Sequence, residues 1–411
     1  MTSMGALVCF AILLAAGLGL YLRTRQIATV ARHRDIVPVD FADRVSQEEH
    51  RQAAEYTIAR TRFGMAEKIF DALVALAWLG LWLAPLYGLV AAWIEPGLTR
   101  SVAVVVAFGL ASAILDLPFT LANNFWLEEK FGFNRLTPAT FALDELKSLV
   151  LGLCLATPAL YALFALLRAL PNYWWLLGWA AFMGLTLAMT VIYPSLIAPL
   201  FNTFTPMEAG AMRSRMEMLL QRCGFESRGL FVMDASKRSA HGNAYFTGFG
   251  KAKRIVFFDT LLEKHTPEEI ESILAHELGH FKFGHVRQMI LQSALVAFAG
   301  FAALHWAFAS STFADWFGLP DDPGVVLIAL LLVKEPVTFL MTPLLAWRSR
   351  RAEFEADDFA RRMVGRESMI AALTRLTRNN LATLTPDPLY ARFYFSHPPV
   401  PVRVARLRET V

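Results

Sequence analysis

Cysteine is almost missing from this chain: Cys9, Cys154 and Cys223 are the three present in 411 residues. That number and that scatter exclude a disulfide framework and a cysteine-based metal site. Cys9 and Cys154 fall in apolar runs, where a thiol is a small packing residue. Any metal bound here is therefore held by histidine and carboxylate. Charge is scarce too, at 18% of residues against about 25% in an average soluble domain. Apolar residues make up 55% of the chain, and the mean hydropathy is +0.42. These shortages exclude a soluble globular domain and point to an α-helical polytopic membrane protein.

The apolar residues come in blocks of the length a bilayer core demands, about 20 residues per helix. Seven spans are predicted: Met4–Tyr21, Ala72–Trp93, Val102–Leu121, Leu149–Leu167, Trp174–Ile192, Ile290–Phe308 and Gly324–Ala346. The first lacks the basic stretch that opens a signal peptide, and Arg23 and Arg25 follow it, so it reads as an uncleaved anchor. Positive charge is nearly absent from one side of the membrane. Of 39 Lys and Arg, only Arg100 and Arg168 fall in segments on that side and Lys334 lies within the last span, leaving about 36 on the other. Basic segments stay in the cytosol, so the amino terminus is predicted outside and the carboxyl terminus inside. The net charge of +4 is then a matter of topology, and no nucleic-acid partner is expected.

The densest chemistry lies between Thr266 and His280. Thr266 is a good N-cap, Pro267 suits the first helical position, and Glu269 completes a capping box. A helix starting there carries Ala275-His276-Glu277-Leu278-Gly279-His280 well inside it. His276 and His280 then lie about 40° apart and one turn apart in height, on one face. Two such imidazoles bind a single zinc ion, and Glu277 stands beside it, where a general base for the attacking water belongs.

A third ligand must come from downstream. Arg348–Asp358 reads as helix, with Glu353 and Asp357 one turn apart on one face. Glu353 completes a His-His-Glu set, and Asp357 accepts a hydrogen bond from a ligand histidine and fixes its tautomer. Glu355 points elsewhere. His285 follows His276 by nine residues, which on a continuing helix puts it about 180° away. It is read as a structural residue.

Other stretches fill out the frame. Gln26–Lys68 is polar, with a helical look over Ser46–Met65, and is read as a cytosolic helix packed on the rest. Asp116, Lys334 and Glu335 lie within apolar spans, where ionisable groups face a bundle interior or a wet cavity, and Pro336 should kink the last span. Glu128 and Glu129 could likewise face a polar cavity. Four divisions follow: a membrane region over 1–198, a soluble insertion over 199–288, spans six and seven over 289–346, and a cytosolic region over 347–411. The insertion has an amphipathic helix at Met207–Cys223 and strands at Gly229–Met233, Asn243–Thr247 and Arg254–Asp259. An edge strand beside the metal would pair with an extended peptide by backbone hydrogen bonds.

With these residues in hand, the chain resembles the type I CaaX prenyl proteases, integral-membrane zinc endopeptidases that include the yeast a-factor-converting enzyme. The likeness extends to Phe131-Gly-Phe-Asn134, Ala198-Pro-Leu-Phe-Asn202, Ser236-Lys-Arg-Ser239 and Asn243-Ala-Tyr-Phe246. It continues through Phe258-Asp-Thr-Leu261, Ser349-Arg-Arg351, Glu353-Phe-Glu-Ala-Asp357 and Ser396-His-Pro-Pro399. The resemblance implies one zinc ion per chain on His276, His280 and Glu353, with Glu277 as general base and proton carrier. It implies that Asn243 holds the substrate backbone and that His397 and Arg403 stabilise the tetrahedral oxyanion. One departure stands out: the acidic residue expected before that arginine is Val402, which leaves the position of Arg403 less constrained.

The implied architecture is seven transmembrane helices around a water-filled intramembrane chamber, with a small α+β zincin-like catalytic insertion at its cytosolic end. The implied substrate is a peptide or protein with a carboxyl-terminal CaaX segment whose cysteine carries an isoprenoid, met at the lipid bilayer. The membrane would be the cell inner membrane in a bacterium, which the Ala-, Leu- and Arg-rich composition favours, or the endoplasmic reticulum in a eukaryote. Two rival readings remain open at this point. An HtpX-like quality-control metalloprotease shares the zinc chemistry without prenyl specificity. A transporter with a structural zinc plug would need four protein ligands, whereas three are found.

Overall fold

A computed structural model describes residues 1–226, 229–247 and 254–409. Residues 227–228, 248–253 and 410–411, which fall in the divisions 199–288 and 347–411, lie outside the described residues. The amino-terminal half is a set of long apolar helices. Helix α1 (Ser3–His33) runs on past its apolar stretch, and α2 (Gln47–Ala77) starts at a capping box formed by Ser46 and Glu49. A π-helical turn at Trp78–Trp82 carries α2 into α3 (Leu83–Ala91). In the polar segment 26–68 the helix expected over Ser46–Met65 is present as the first part of α2, and it runs on into the apolar stretch that follows. The segment consists largely of the polar ends of the first two spanning helices, because no Gly or Pro interrupts Gln47–Phe63 and its Glu, Gln, Ala and Arg residues favour helix.

Helix α4 (Leu98–Ala122) ends in a second π-helical turn, Asn123–Glu128, and is followed by α5 (Pro138–Ala169) and α6 (Trp174–Ile192). Glu128, expected at a polar cavity, is instead a tie point. It accepts hydrogen bonds from Tyr56 of α2 at 2.7 Å and from His241 at 3.1 Å, and Phe133 stacks on that imidazole at 3.8 Å. Asn134 donates to Glu129 at 2.9 Å and closes the adjacent turn.

Between the fifth and sixth spans the chain builds a small α+β unit. It comprises β1 (Phe204–Pro206), α7 (Ala211–Arg222), β2 (Leu230–Met233), β3 (Ala244–Thr247) and β4 (Arg254–Phe258). The strand order is β1-β2-β4-β3, with β2 and β4 parallel and the other pairs antiparallel. Ala244 pairs with Phe257 and Thr247 with Arg254, which leaves β3 at one edge of the sheet. Helices α8 (Asp259–Lys264) and α9 (Pro267–Lys282) follow.

The chain then returns to the membrane in α10 (His285–Ala309), turns through α11 (Ser311–Asp315), and crosses back in α12 (Pro323–Val333) and α13 (Glu335–Val364). Among the described residues, six helical segments are long and apolar enough to cross a bilayer, and α12 with α13, bent by 47°, makes a seventh. The bend falls where the sequence predicts it, because Pro336 lacks an N–H and its ring clashes with the preceding turn. Glu335 at the break pairs with Lys68 of α2, not with its neighbour Lys334.

Helices α14 (Arg366–Asn379), α15 (Pro388–Tyr394) and α16 (Val400–Glu409) complete the chain. The insertion and the carboxyl-terminal region share one core. Leu274 and Leu278 of α9 and Phe257 of β4 belong to the same buried cluster as Phe359 of α13, Leu373 of α14 and Leu407 of α16. Packing thus joins two stretches that the sequence separates by two membrane spans.

Candidate active site

Helix α9 begins with both capping-box bonds in place: Thr266 N donates to Glu269 Oε2 at 2.9 Å, and Glu269 N to Thr266 Oγ1 at 3.4 Å. This fixes the helical register of His276 and His280 and turns them toward α13. Gly279 sets how close the two helices come. A Cβ at Gly279 would stand 2.9 Å from Ala356 Cα, so a side chain there would force the backbones apart. The close approach brings Glu353 across to both histidines.

The Nε2 atoms of His276 and His280 are 3.2 Å apart. Glu353 Oε2 is 3.3 Å from the first, and Glu353 Oε1 is 3.2 Å from the second. A tetrahedral site with metal–ligand bonds of ~2.0–2.1 Å has edges of ~3.3 Å, so the donor spacing fits a metal ion of that size. Glu353 Oε2 is also buried without a hydrogen-bond partner, as expected of an atom meant for a cation. His397 Nε2 lies 3.3 Å from Glu353 Oε1 but falls outside the three-residue group. Three protein donors leave one position open toward a cavity of about 460 Å³ lined by Glu277, His397 and Tyr245 and Phe246 of β3. Burial pushes the Glu277 carboxyl up from its ordinary value, against the pull of His276 and His280.

A second ring of residues orients the donors. Asp357 Oδ1 lies 2.9 Å from His276 Nδ1, which keeps the proton there and leaves Nε2 free. Arg403 forks onto the same carboxylate, Nε to Oδ2 at 2.7 Å and Nη2 to Oδ1 at 2.5 Å, and is only 7% exposed. Val402 is 49% exposed and takes no part, so Arg403 is fixed by Asp357 and not by residue 402.

His285 does not lie on the opposite face, and Glu355, outside the three-residue group, meets it there. Helix α9 stops at Gly284, whose φ of +68° is left-handed, and His285 opens α10. His285 Nδ1 then sits 3.0 Å from His280 Nδ1, and its Nε2 sits 3.1 Å from Glu355 Oε2. A metal-binding Nε2 on His280 makes Nδ1–H the donor to His285, whose own Nε2–H donates to Glu355. The missed signal was Gly284, a natural helix stop that invalidates counting 100° per residue across it. His285→Ala is expected to weaken metal affinity about 10- to 100-fold with the fold intact, as loss of an orienting partner usually does. Competition against a chelator checks it, and unchanged affinity would reduce His285 to packing.

Residues 26–203 match the family described as CAAX prenyl protease N-terminal, five membrane helices, and residues 206–411 match peptidase family M48. The chain belongs to peptidase family M48. Its similarity to curated relatives runs nearly end to end. CAAX prenyl protease 1 of Saccharomyces cerevisiae is 32% identical over 94% of this chain and 91% of its own length. The Oryza sativa homologue of that enzyme is 36% identical over 77% of this chain and 75% of its own. The crystal structure of Ste24p from S. mikatae superposes with a TM-score of 0.92 at 28% identity, covering 99% of both chains. The protein is an integral-membrane metalloendopeptidase.

In this M48 peptidase, Asn243 stands just ahead of the edge strand. Its carbonyl accepts from Phe258 N at 3.0 Å, and its side-chain oxygen accepts from Ala244 N at 2.8 Å. His397 is held by Ser396, with Oγ 2.9 Å from Nδ1, so Nε2 faces Glu353. The proton balance at the M48 site is set by His276. Burial alone would lower its pKa, but the Asp357 and Glu353 carboxylates against its two ring nitrogens outweigh that and raise it to about 9. A raised pKa stabilises the fold fully below the unfolded value of about 6.5. That contribution is lost as pH climbs through about 9. The metal-free enzyme should therefore lose stability from pH 6.5 to 9 as metal affinity rises. Displacing this one proton contributes about tenfold per pH unit to affinity in that window. Metal titration at several pH values checks it, and a flat profile would place the proton elsewhere.

Proposed function

We propose that this chain is a zinc endopeptidase that cuts the carboxyl-terminal CaaX segment of isoprenylated proteins at the cytosolic face of its membrane. The observation that carries this reading is the three-donor group of His276, His280 and Glu353, open on one side to a cavity that Glu277 lines. Two imidazoles and a carboxylate suit zinc, and an open position marks a catalytic site, since structural zinc is closed by four protein ligands. Bound zinc supplies Lewis-acid polarisation of the scissile carbonyl and a lowered pKa for the attacking water. Glu277 takes the proton from that water and delivers it to the leaving amine. The free edge of β3 offers backbone groups to an extended peptide, with Asn243 holding one end. His397 and Arg403 supply donors and positive charge near Glu353, where the tetrahedral oxyanion develops. The spans enclose a wet chamber leading to this site, which accounts for the Lys68–Glu335 pair within them.

The end-to-end likeness to enzymes named CAAX prenyl protease 1 supports the substrate class, and the preponderance of Lys and Arg on one side supports the cytosolic orientation. The test is cleavage of a farnesylated CaaX peptide by detergent-purified protein, with and without a zinc chelator, beside the same peptide lacking the lipid. Chelator-sensitive cleavage favouring the lipidated peptide supports the proposal. Equal cleavage of both would retain the protease and assign it to quality control.

A further inference from the structure

The active-site cavity is a slot that runs from the metal group toward the membrane between α10 and α13. Its wall on α13 consists of Leu345, Arg348, Ser349, Ala352 and Glu353, one stripe at helical spacing. Its wall on α10 is His285, Gln288, Met289 and Gln292, a matching stripe. Arg348 is the one Lys or Arg lining this slot among the described residues. Its neighbours have structural partners. Arg350 donates to the carbonyls of Ala391 and Phe395 around α15, and Arg351 stands 3.9 Å from Glu355. Arg348 is exposed and makes no hydrogen bond or ion pair among the described residues.

Distance then says what it is placed to meet. At ~1.5 Å per residue, Arg348 lies ~7.5 Å along α13 from Glu353, and Gln292 lies ~10 Å along α10 from His285. Three extended residues span ~10 Å. A peptide with its scissile bond at the metal and three residues beyond it in the slot ends level with Arg348. A CaaX segment has three residues after its cysteine. A guanidinium binds a carboxylate by a two-pronged fork, and Gln288 and Gln292 across the slot offer further amide donors.

We propose that Arg348 binds the free carboxylate at the end of the peptide being cleaved and so sets the cut three residues from the terminus; this rests on the CaaX reading above. Arg348 is a specificity residue, distinct from the groups that move protons. The same guanidinium would also suit a lipid headgroup phosphate, so the test must separate the two anions. It compares a farnesylated CaaX peptide as free acid and as carboxyl-terminal amide, using native enzyme and Arg348→Gln, with zinc content and thermal midpoint checked in both. The native enzyme should prefer the acid by roughly 10- to 100-fold in kcat/KM, the range of a charge-assisted contact. Arg348→Gln should lose that preference through KM on the acid, with the amide unchanged. Arg348→Lys should keep part of it. Equal cleavage of acid and amide by native enzyme would overturn the assignment while leaving the CaaX reading in place. An equal fall on both substrates in Arg348→Gln would also overturn it and point to the headgroup. No chelator-sensitive cleavage of either peptide would remove the CaaX reading and this inference together.

Discussion

Glu277→Gln is expected to lower kcat on a farnesylated CaaX peptide by about 10²- to 10⁴-fold, the range that proton transfer by a positioned side chain contributes. In the proposed mechanism the upper end applies, because one carboxylate both accepts the water's proton and delivers it to the leaving amine. That corresponds to roughly 3–5 kcal/mol of barrier at about 1.36 kcal/mol per tenfold. Glutamine keeps the size and hydrogen-bonding reach of Glu277 but is not basic enough to take up a proton and hand it on. Glu277 is outside the group of donor atoms that converge on one point, so metal content should stay at the native level. A Glu353→Gln control behaves differently, because it removes a ligand and loses metal and activity together. The measurement is single-turnover cleavage beside metal analysis of the same samples. Activity within tenfold of native, with zinc retained, would exclude Glu277 as the base and turn attention to His397, which lines the same cavity.

The parts of this site legible in the sequence are those set by local rules. The capping box and the four-residue spacing put His276 and His280 on one face before any tertiary contact is known, and Glu353 and Asp357 share a face for the same reason. What a local reading could not give is how two helices meet. The approach of α9 to α13 depends on Gly279 lying against Ala356, a contact across two intervening spans. His285 was misplaced because the helical count was carried through Gly284, where the helix ends. In segment 26–68 the helix over Ser46–Met65 was legible, but not that it runs on unbroken into the next apolar stretch. Three of the four strands were legible close to their observed limits, but β1 and the strand order were not. That β3 lies at the edge follows only from its pairing with β4 and from the parallel β2–β4 pair, neither of which has a local signature.

Asp357→Asn is expected to damage both stability and metal binding, by separable routes. Asp357 is buried between a ligand histidine and a guanidinium, and it is the forked partner of Arg403. Removing its charge leaves Arg403 buried without its forked partner, with Glu353 3.8 Å away and Glu277 acting only through space. Breaking a buried pair from one side typically costs ~3–5 kcal/mol. The apparent thermal midpoint of chelator-treated protein should therefore fall by several degrees, at about 2–4 °C per kcal/mol for a chain region of this size. His276 also loses the anionic acceptor for its Nδ1 proton, and metal affinity should drop by about 10- to 100-fold. The double variant Asp357→Leu with Arg403→Met separates the two effects. With both charges gone, no unpaired cation remains and most of the lost midpoint should return, since an apolar pair can replace a buried ion pair at little net loss. Zinc affinity should stay low, because nothing then orients His276. Recovery of both properties in the double variant would mean that Asp357 serves only to neutralise Arg403. Recovery of neither would mean that this corner of the core cannot repack. The expected pattern, stability regained and affinity not, identifies one carboxylate with two functions: it neutralises a buried cation for the fold and orients an imidazole for the metal.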